Sequence, residues 1–420
     1  HIGSGATANT DNTKITLVKK EKGKEVFLEG AEFTLEKWNG STWLPITNAD
    51  GTIIHFTTGT NGTVEIGEVG TKGKYIKYYY LYRLKEVKSP NGYQTNNATE
   101  FYYIYLEGGN GSADTAPSLP ENFDKKNAIT VKNHYIYIEN EKVVTVEGTK
   151  TWKVPEGEHL PEKITVILNR NGVQYDTKTV TAADNWTYKW ENLPAYDTEG
   201  KAYSYTIDEV EIAGYQKNVS GYDLTNSKIV IGKIDENGSA IAGAKLKIIV
   251  KNATTEEIVD SWTSAEKVHD VTGKLVAGIE YVLEESSSPT GYAIAQSITF
   301  TITRDGTITV NAKPVSENKL TMVDAKLHFN VNKVELGNGK EVEGAHLVVI
   351  DKETGKTVDE WVSEKGKTHD FGPKLEAGKS YILRETVAPA GYKYATDIEF
   401  TVKKDGTIET NAKTTNGYRW

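Results

Sequence analysis

The chain has 420 residues, enough for about three domains at the usual ~150 residues each. Apolar residues make up 37%, with 38 glycines besides, an ordinary globular composition that can fill several modest cores. A net charge of −9 and the lack of any cysteine exclude a basic nucleic-acid or membrane field, disulfides, thiolate catalysis and cysteine-ligated zinc, and no apolar run approaches the ~20 residues of a membrane helix.

Twenty-four Tyr, eight Trp and a single Met lean toward sheets rather than helical bundles. His1-Ile2-Gly3-Ser4-Gly5 reads as an expression scar with any export signal already removed, and is set aside. From there the chain divides into four segments. Residues 12–140 open with ITLVK (15–19) and continue through LEGAEFTL (28–35) and YRLKEVKSPNGY (82–93). They then carry an insertion rich in Gly, Ser, Asn and Pro (107–127) and reach ITVKN (129–133). Residues 141–227 hold GTKTW (148–152), ITVILNRNG (164–172), DNWTYKWENLP (184–194), YSYTIDEVEIAGY (203–215) and LTNS (224–227).

Residues 228–325 and 326–420 are two copies of one unit at an offset of 100: LVAGIEYVLEESSSPTGY (275–292) matches LEAGKSYILRETVAPAGY (375–392), and GAKLKI (243–248) matches GAHLVV (344–349). The first segment repeats the same frame of Tyr-x-Leu-x-Glu followed by Pro-x-Gly-Tyr. Short alternating strands broken by NG and DG turns predict an all-β protein: four tandem Ig-like antiparallel β-sandwich domains in an elongated array.

A period of two places chemistry on the buried faces. Ile15, Leu17 and Lys19 share a face, as do Ile229, Ile231 and Lys233, and Phe329, Val331 and Lys333. One such lysine would be explained by a snorkelling stem. However, each domain also sends an acid inward: Glu86 after Tyr82 and Leu84, Glu209 after Tyr205 and Ile207, Glu285 after Tyr281 and Leu283, and Glu385 after Tyr381 and Leu383. A third polar group closes three of the domains: Asn133 after Ile129 and Val131, Asn226 in LTNS, and Asp324 after Leu320 and Met322. Dry surroundings push an amine down and a carboxyl up, so such a pair can exist as neutral amine and neutral acid. The amine is then a nucleophile and the acid a proton shuttle.

YILRETVAPAGY (381–392) resembles the E-box of sortase-assembled pilins, and GTKTW, NWTY and YSYTIDE resemble a second subfamily of the same modules. Nearly all of 12–420 thus resembles Gram-positive pilins and surface adhesins built of Cna protein B-type (SpaA-like) domains. That resemblance implies four Cna B-type domains, at 12–140, 141–227, 228–325 and 326–420, with intramolecular isopeptide bonds. The bonds would be Lys19–Asn133 with catalytic Glu86, Lys150–Asn226 with Glu209, and Lys233–Asp324 with Glu285. In the fourth domain Lys333 and Glu385 are present, but the repeat puts their partner beyond Trp420. Asn416 is a poor substitute, so a truncated last strand and no bond are expected there.

The expected function is a structural shaft or stalk of a cell-surface pilin, extracellular and anchored to the cell wall or built into a pilus. Its partners would be other pilin subunits joined through sortase, with no cofactor, no metal, no nucleic acid and no membrane insertion. Lys142 in YIYIENEK is the linkage candidate, although the Tyr-Pro-Lys context is missing, and LPENF (119–123) is internal and no sorting signal. The alternative is an adhesin that binds a host matrix ligand through its first domain, where KYIKYYYLYR (74–83) and EFYYIYLE (100–107) are rich in tyrosine. An enzyme is not expected. His269-Asp270 and His369-Asp370 recur without a nucleophile or third ligand, and DENG (235–238) and DKETG (351–355) lack calcium-loop spacing.

Overall fold

A computed structural model describes residues 11–94 and 100–410. These fall into two compact units: His1–Gly148 with Leu168–Thr177 and Thr187–Thr206, and Thr149–Ile167 with Lys178–Trp186 and Ile207–Trp420.

In the first unit, strand Ile15–Glu21 lies between two neighbours. Thr63–Ile66 pairs with it antiparallel, and Tyr135–Asn140 pairs with it in parallel, from Thr16 opposite Tyr135 to Glu21 opposite Asn140. The facing sheet runs Tyr102–Tyr105, Leu81–Lys88, Glu32–Trp38, Trp43–Pro45. Alternation sends Ile15, Leu17, Phe33, Leu35, Tyr82, Leu84, Ile104, Ile136 and Ile138 into one core between the sheets.

The second unit repeats this plan. Val230–Asp235 pairs in parallel with Lys319–Asp324. Its facing sheet is built on Lys245–Val250 and Tyr281–Ser287, around Ile229, Ile231, Leu246, Leu283, Phe300 and Met322. Lys150–Lys153 pairs in parallel with Leu224–Ser227. In residues 326–410 a five-stranded sheet contains His346–Asp351 and Ser380–Val387. The short strand Asn330–Val331 pairs with His369–Asp370, and among the described residues that sheet holds only these two strands.

Two features of the repeated frame have local physical causes. Each motif tyrosine accepts a backbone N–H from five residues upstream: Tyr82 Oη from Lys77, Tyr281 Oη from Val276, and Tyr381 Oη from Glu376. A buried phenol needs a partner, and this one fastens the loop entering the strand. In these three copies the inward glutamate also sits beside a β-bulge. The register slips between Glu32 and Phe33 opposite Glu86, between Lys245 and Leu246 opposite Glu285, and between His346 and Leu347 opposite Glu385. A bulge bends the strand and re-aims the side chain next to it.

Candidate functional site

Lys19 and Glu86 are buried, with Nζ 3.1 Å from Glu86 Oε2. The third member of the cluster is Asn140, not Asn133. Lys19 Nζ donates to Asn140 Oδ1, and Asn140 Nδ2 donates to Glu86 Oε1 at 2.7 Å and to Gln94 O at 3.1 Å. Asn133 sits outside the cluster, exposed, at φ 50°, beside His134 at φ 68°. These two left-handed residues reverse the chain after ITVKN, so that segment ends in a turn and the next one, YIYIEN, supplies the closing strand. Ile136, Ile138 and Asn140 share its inner face, and this period-two stripe was the available signal. Burial, working against the pull of Glu86, holds the Lys19 amine down at about 8.

The second cluster gathers the same three groups around its glutamate, with Asn226 Oδ1 buried and without a hydrogen-bond partner. Lys150 Nζ donates to Glu209 Oε2, and Asn226 Nδ2 donates to Glu209 Oε1 at 2.8 Å. All three residues are buried, and burial lowers the Lys150 amine. Lys150 also lies over the Trp152 ring, 4.2 Å from its centroid.

In the third cluster Lys233 Nζ contacts Asp324 Oδ1 and stands 2.9 Å from Glu285 Oε2. The Ala295 amide donates to Glu285 Oε1 at 2.8 Å. Burial first, and then the neighbouring Glu285 charge, push the Asp324 carboxyl up to about 7, against the pull of Lys233.

One register rule links the three clusters. Lys19 lies opposite Ile138, Lys150 opposite Leu224 and Lys233 opposite Met322. The amide or acid is in each case two residues further along: Asn140, Asn226 and Asp324. Two residues is one pleat period, so the acceptor faces the same side as the lysine and is its diagonal neighbour. In the two amide clusters the glutamate spans the amine on one oxygen and the amide nitrogen on the other. It can therefore carry a proton from Nζ to the departing nitrogen, rather than only polarise the carbonyl oxygen.

In the fourth domain Lys333 Nζ is 3.2 Å from Glu385 Oε2, and the Ala395 amide donates to Glu385 Oε1 at 3.2 Å. Among the described residues no amide or acid completes the cluster, and the Lys333 side chain keeps 14% exposure against 0–2% for the other three lysines. Asn416 lies outside the described residues.

Lys142 is exposed, directly after the closing strand of the first domain, and its carbonyl accepts from the Ala195 amide. It lines an open cleft with Glu21, Lys24, Tyr196 and Asp197. The recurring histidines are taken up in matched side-chain pairs. His269 stacks on Trp262 at 4.0 Å and meets Asp260 at 2.7 Å, while His369 stacks on Trp361 at 4.1 Å and meets Asp359 at 2.7 Å. The tyrosine-rich segments divide between core and surface. Tyr82 is buried, with its hydroxyl donating to Glu68 at 2.6 Å, while Tyr103 and Tyr105 pack against Phe123 of the insertion. Among the described residues no helix is long and apolar enough to cross a membrane.

Comparison with known proteins gives two family matches. The SpaA prealbumin-like fold domain matches residues 13–112, 227–315 and 328–416, and the Cna protein B-type domain matches 146–227. A collagen adhesin of Staphylococcus aureus is 28% identical over 341 residues, which are 76% of this chain and 27% of the adhesin. The chain therefore spans well under half the length of that relative. Among solved structures, the pilus adhesin SpaC of Lactobacillus rhamnosus GG in its open conformation is 16% identical, with 93% of this chain and 55% of that one covered, at a TM-score of 0.35. The full-length major pilin SpaD of Corynebacterium diphtheriae is 15% identical, with 74% and 97% covered, at a TM-score of 0.34.

Proposed function

The chain belongs to the SpaA prealbumin-like fold family, with one Cna B-type domain among its modules, and from that premise we propose that it is a structural stalk of a Gram-positive pilin or surface adhesin, locked by self-formed amide bonds. The observation that carries this reading is the repeated diagonal triad of buried lysine, buried glutamate and closing-strand amide or acid. In the first domain the neutral Lys19 amine attacks the Asn140 carbonyl carbon. Glu86 takes the amine proton and delivers it to the amide nitrogen, so that the C–N bond to Lys19 forms as ammonia departs. Lys150 and Asn226 react alike through Glu209. Lys233 and Asp324 react through Glu285 with loss of water. The fold gathers the groups in one buried cluster and so supplies the effective concentration. Each of these three domains reacts once with itself and turns over no substrate.

Lys19 to Asn140 closes a span of 121 residues. By analogy with a disulfide of that span, restriction of the unfolded chain is worth about 4–5 kcal/mol. The bond needs no oxidant and no reductant breaks it, which suits a cysteine-free protein outside the cell. Intact mass of the folded chain tests the reading. The expected mass is lower than that of the sequence by two molecules of ammonia and one of water, and Glu86→Ala should restore one ammonia. A chain of full mass would overturn it.

In an assembled pilus the exposed Lys142 amine would be the acyl acceptor for sortase, joining this subunit to the next. Loss of the covalent polymer ladder in Lys142→Ala cells is the expected result, and an unchanged ladder would remove Lys142 from that role.

A second reading, binding of a host matrix protein by the first domain, is favoured by one feature. Trp38, Trp43, Tyr103 and Phe123 form a continuous half-buried chain of rings with centroids 5.4–6.1 Å apart, and Arg83 lies 4.4 Å from Trp43. Saturable binding to a matrix protein that is lost in Trp43→Ala would support it.

A further inference from the structure

The third cluster differs from the first two in its proton count. In the amide clusters, transfer of one proton from the lysine to the glutamate converts the ion pair into the reactive pair of free amine and carboxylic acid, and no proton enters from solvent. The third cluster surrounds one amine with two buried carboxyls, Glu285 and Asp324. With both ionised and Lys233 protonated, the cluster carries a net negative charge. The reactive state needs a free amine, a protonated Asp324 whose hydroxyl can leave, and a protonated Glu285. Reaching it requires one proton from outside.

Among the described residues the elements packed around the cluster offer no group to supply that proton. On strand His269–Asp270, which pairs with Val230 and Ile231, His269 meets Asp260 and Asp270 accepts the Thr272 amide. On strand Val230–Asp235, the Asp235 carboxyl turns to the amides of Asn237 and Ser239. On strand Lys245–Val250, Lys245 is exposed and Lys247 pairs with Glu256 and Glu284 on the outer face. Strand Tyr281–Ser287 sends Tyr281, Leu283 and Glu285 inward, the Tyr281 hydroxyl accepting the Val276 amide; the loop beyond it gives the Ala295 amide, and on strand Lys319–Asp324 the Lys319 side chain is on the opposite parity edge, half-exposed. Asp324 Oδ2 is buried without a hydrogen-bond partner.

We propose that closure of the third domain is acid-gated: it takes up one proton from solvent that the first and second domains do not need, so these modules lock at different pH. The inference rests on the crosslinking reading above and concerns its regulation. In the step itself, Lys233 Nζ attacks Asp324 Cγ while Glu285 protonates the carbonyl oxygen. The glutamate then takes a proton from the nitrogen and passes it to the departing hydroxyl, and as the C=O re-forms its oxygen returns the first proton to Glu285. One C–N bond forms, one C–O bond breaks, and water leaves. The raised carboxyl of Asp324 sets the range, with the extra proton bound below about 7 and scarce above it.

The test uses the full chain recovered unfolded from inclusion bodies and refolded by dilution at pH 6 to 9. Samples are quenched over time, digested, and each crosslinked peptide is counted by mass spectrometry. Asp324→Asn is run in parallel, because it keeps Lys233 and Glu285 but removes the second carboxyl. The expected result is that the ratio of the native to the Asp324→Asn closure rate at Lys233 falls about tenfold per pH unit above about 7. The Lys19 and Lys150 crosslinks report that folding and chemistry proceed at each pH. If those two form while the ratio stays constant, the acid gate is overturned and the crosslinking reading stands. If no domain crosslinks at any pH, both fall.

Discussion

The third and fourth domains are near copies in sequence, yet among the described residues only the third shows a complete triad. Both carry the Tyr-x-Leu-x-Glu strand, the bulge that aims the glutamate, the Trp–His stack and the inward lysine. In the third domain Lys319–Asp324 runs beside the first strand, and Lys233 is sealed at 2% exposure. In the fourth, the described residues place no strand there, and Lys333 stays partly open. The motif therefore builds the acid and its setting, while the closing strand supplies the electrophile and seals the lysine from solvent.

The sharpest break of this comparison is to remove each glutamate in turn. Glu285→Gln should abolish the water deficit and lower the unfolding free energy of the third domain by about 4–5 kcal/mol, the loop-closure contribution. Glu385→Gln should leave the mass unchanged apart from the substitution. Peptide mass mapping and calorimetry check both.

Next in size is the close approach at Gly372, where an added Cβ would sit 2.2 Å from Leu327 O. Gly372→Ala should destabilise the fourth domain by about 2–3 kcal/mol. Its aligned counterpart in the third domain, Thr272, already bears a side chain, whose hydroxyl accepts the Ile229 amide at 2.9 Å. Thermal unfolding of the two variants Gly372→Ala and Thr272→Ala separates the effects.

Titration gives a subtler difference. In an Asn140→Leu chain, Lys19 and Glu86 remain but nothing can react. The folded amine sits at about 8, below its ordinary 10.5, so the unfolded state binds the proton more tightly. Folding of the first domain is then opposed below 8, and the opposition fades as pH rises from about 8 to 10.5. Its melting temperature should climb across that window. An unreacted third domain, such as Lys233→Met with its carboxyls intact, should respond oppositely. Burial and Glu285 hold Asp324 above its ordinary 3.8, more so once the pull of Lys233 is gone, so the stability that its proton provides is present at low pH and is lost as pH rises toward neutrality and beyond. The smallest effect is expected at the twin stacks. His269→Ala and His369→Ala should each cost about 0.5–1.5 kcal/mol and match one another.

Much of this was legible in the sequence because period-two alternation survives a lack of alignment. The inward stripes of Ile15, Leu17 and Lys19 and of Tyr281, Leu283 and Glu285 lie where parity puts them. What parity could not resolve was which of two adjacent stripes closes the first domain. ITVKN and YIYIEN both alternate and both end in asparagine, and choosing between them requires the partner strand. The left-handed pair Asn133-His134 decides it, and histidine at φ 68° carries little warning in sequence. The bulges were equally invisible, because a register slip belongs to a pair of strands and not to either one.

The parallel pairing of opening and closing strands has a consequence for damage. With Lys19 joined to Asn140, everything from residue 20 to 139 becomes a closed ring hanging off a short covalent bridge. The Gly- and Ser-rich insertion at 107–127, much of it exposed, lies inside that ring. A single nick there would leave one branched molecule, with both ends of the chain still attached to each other.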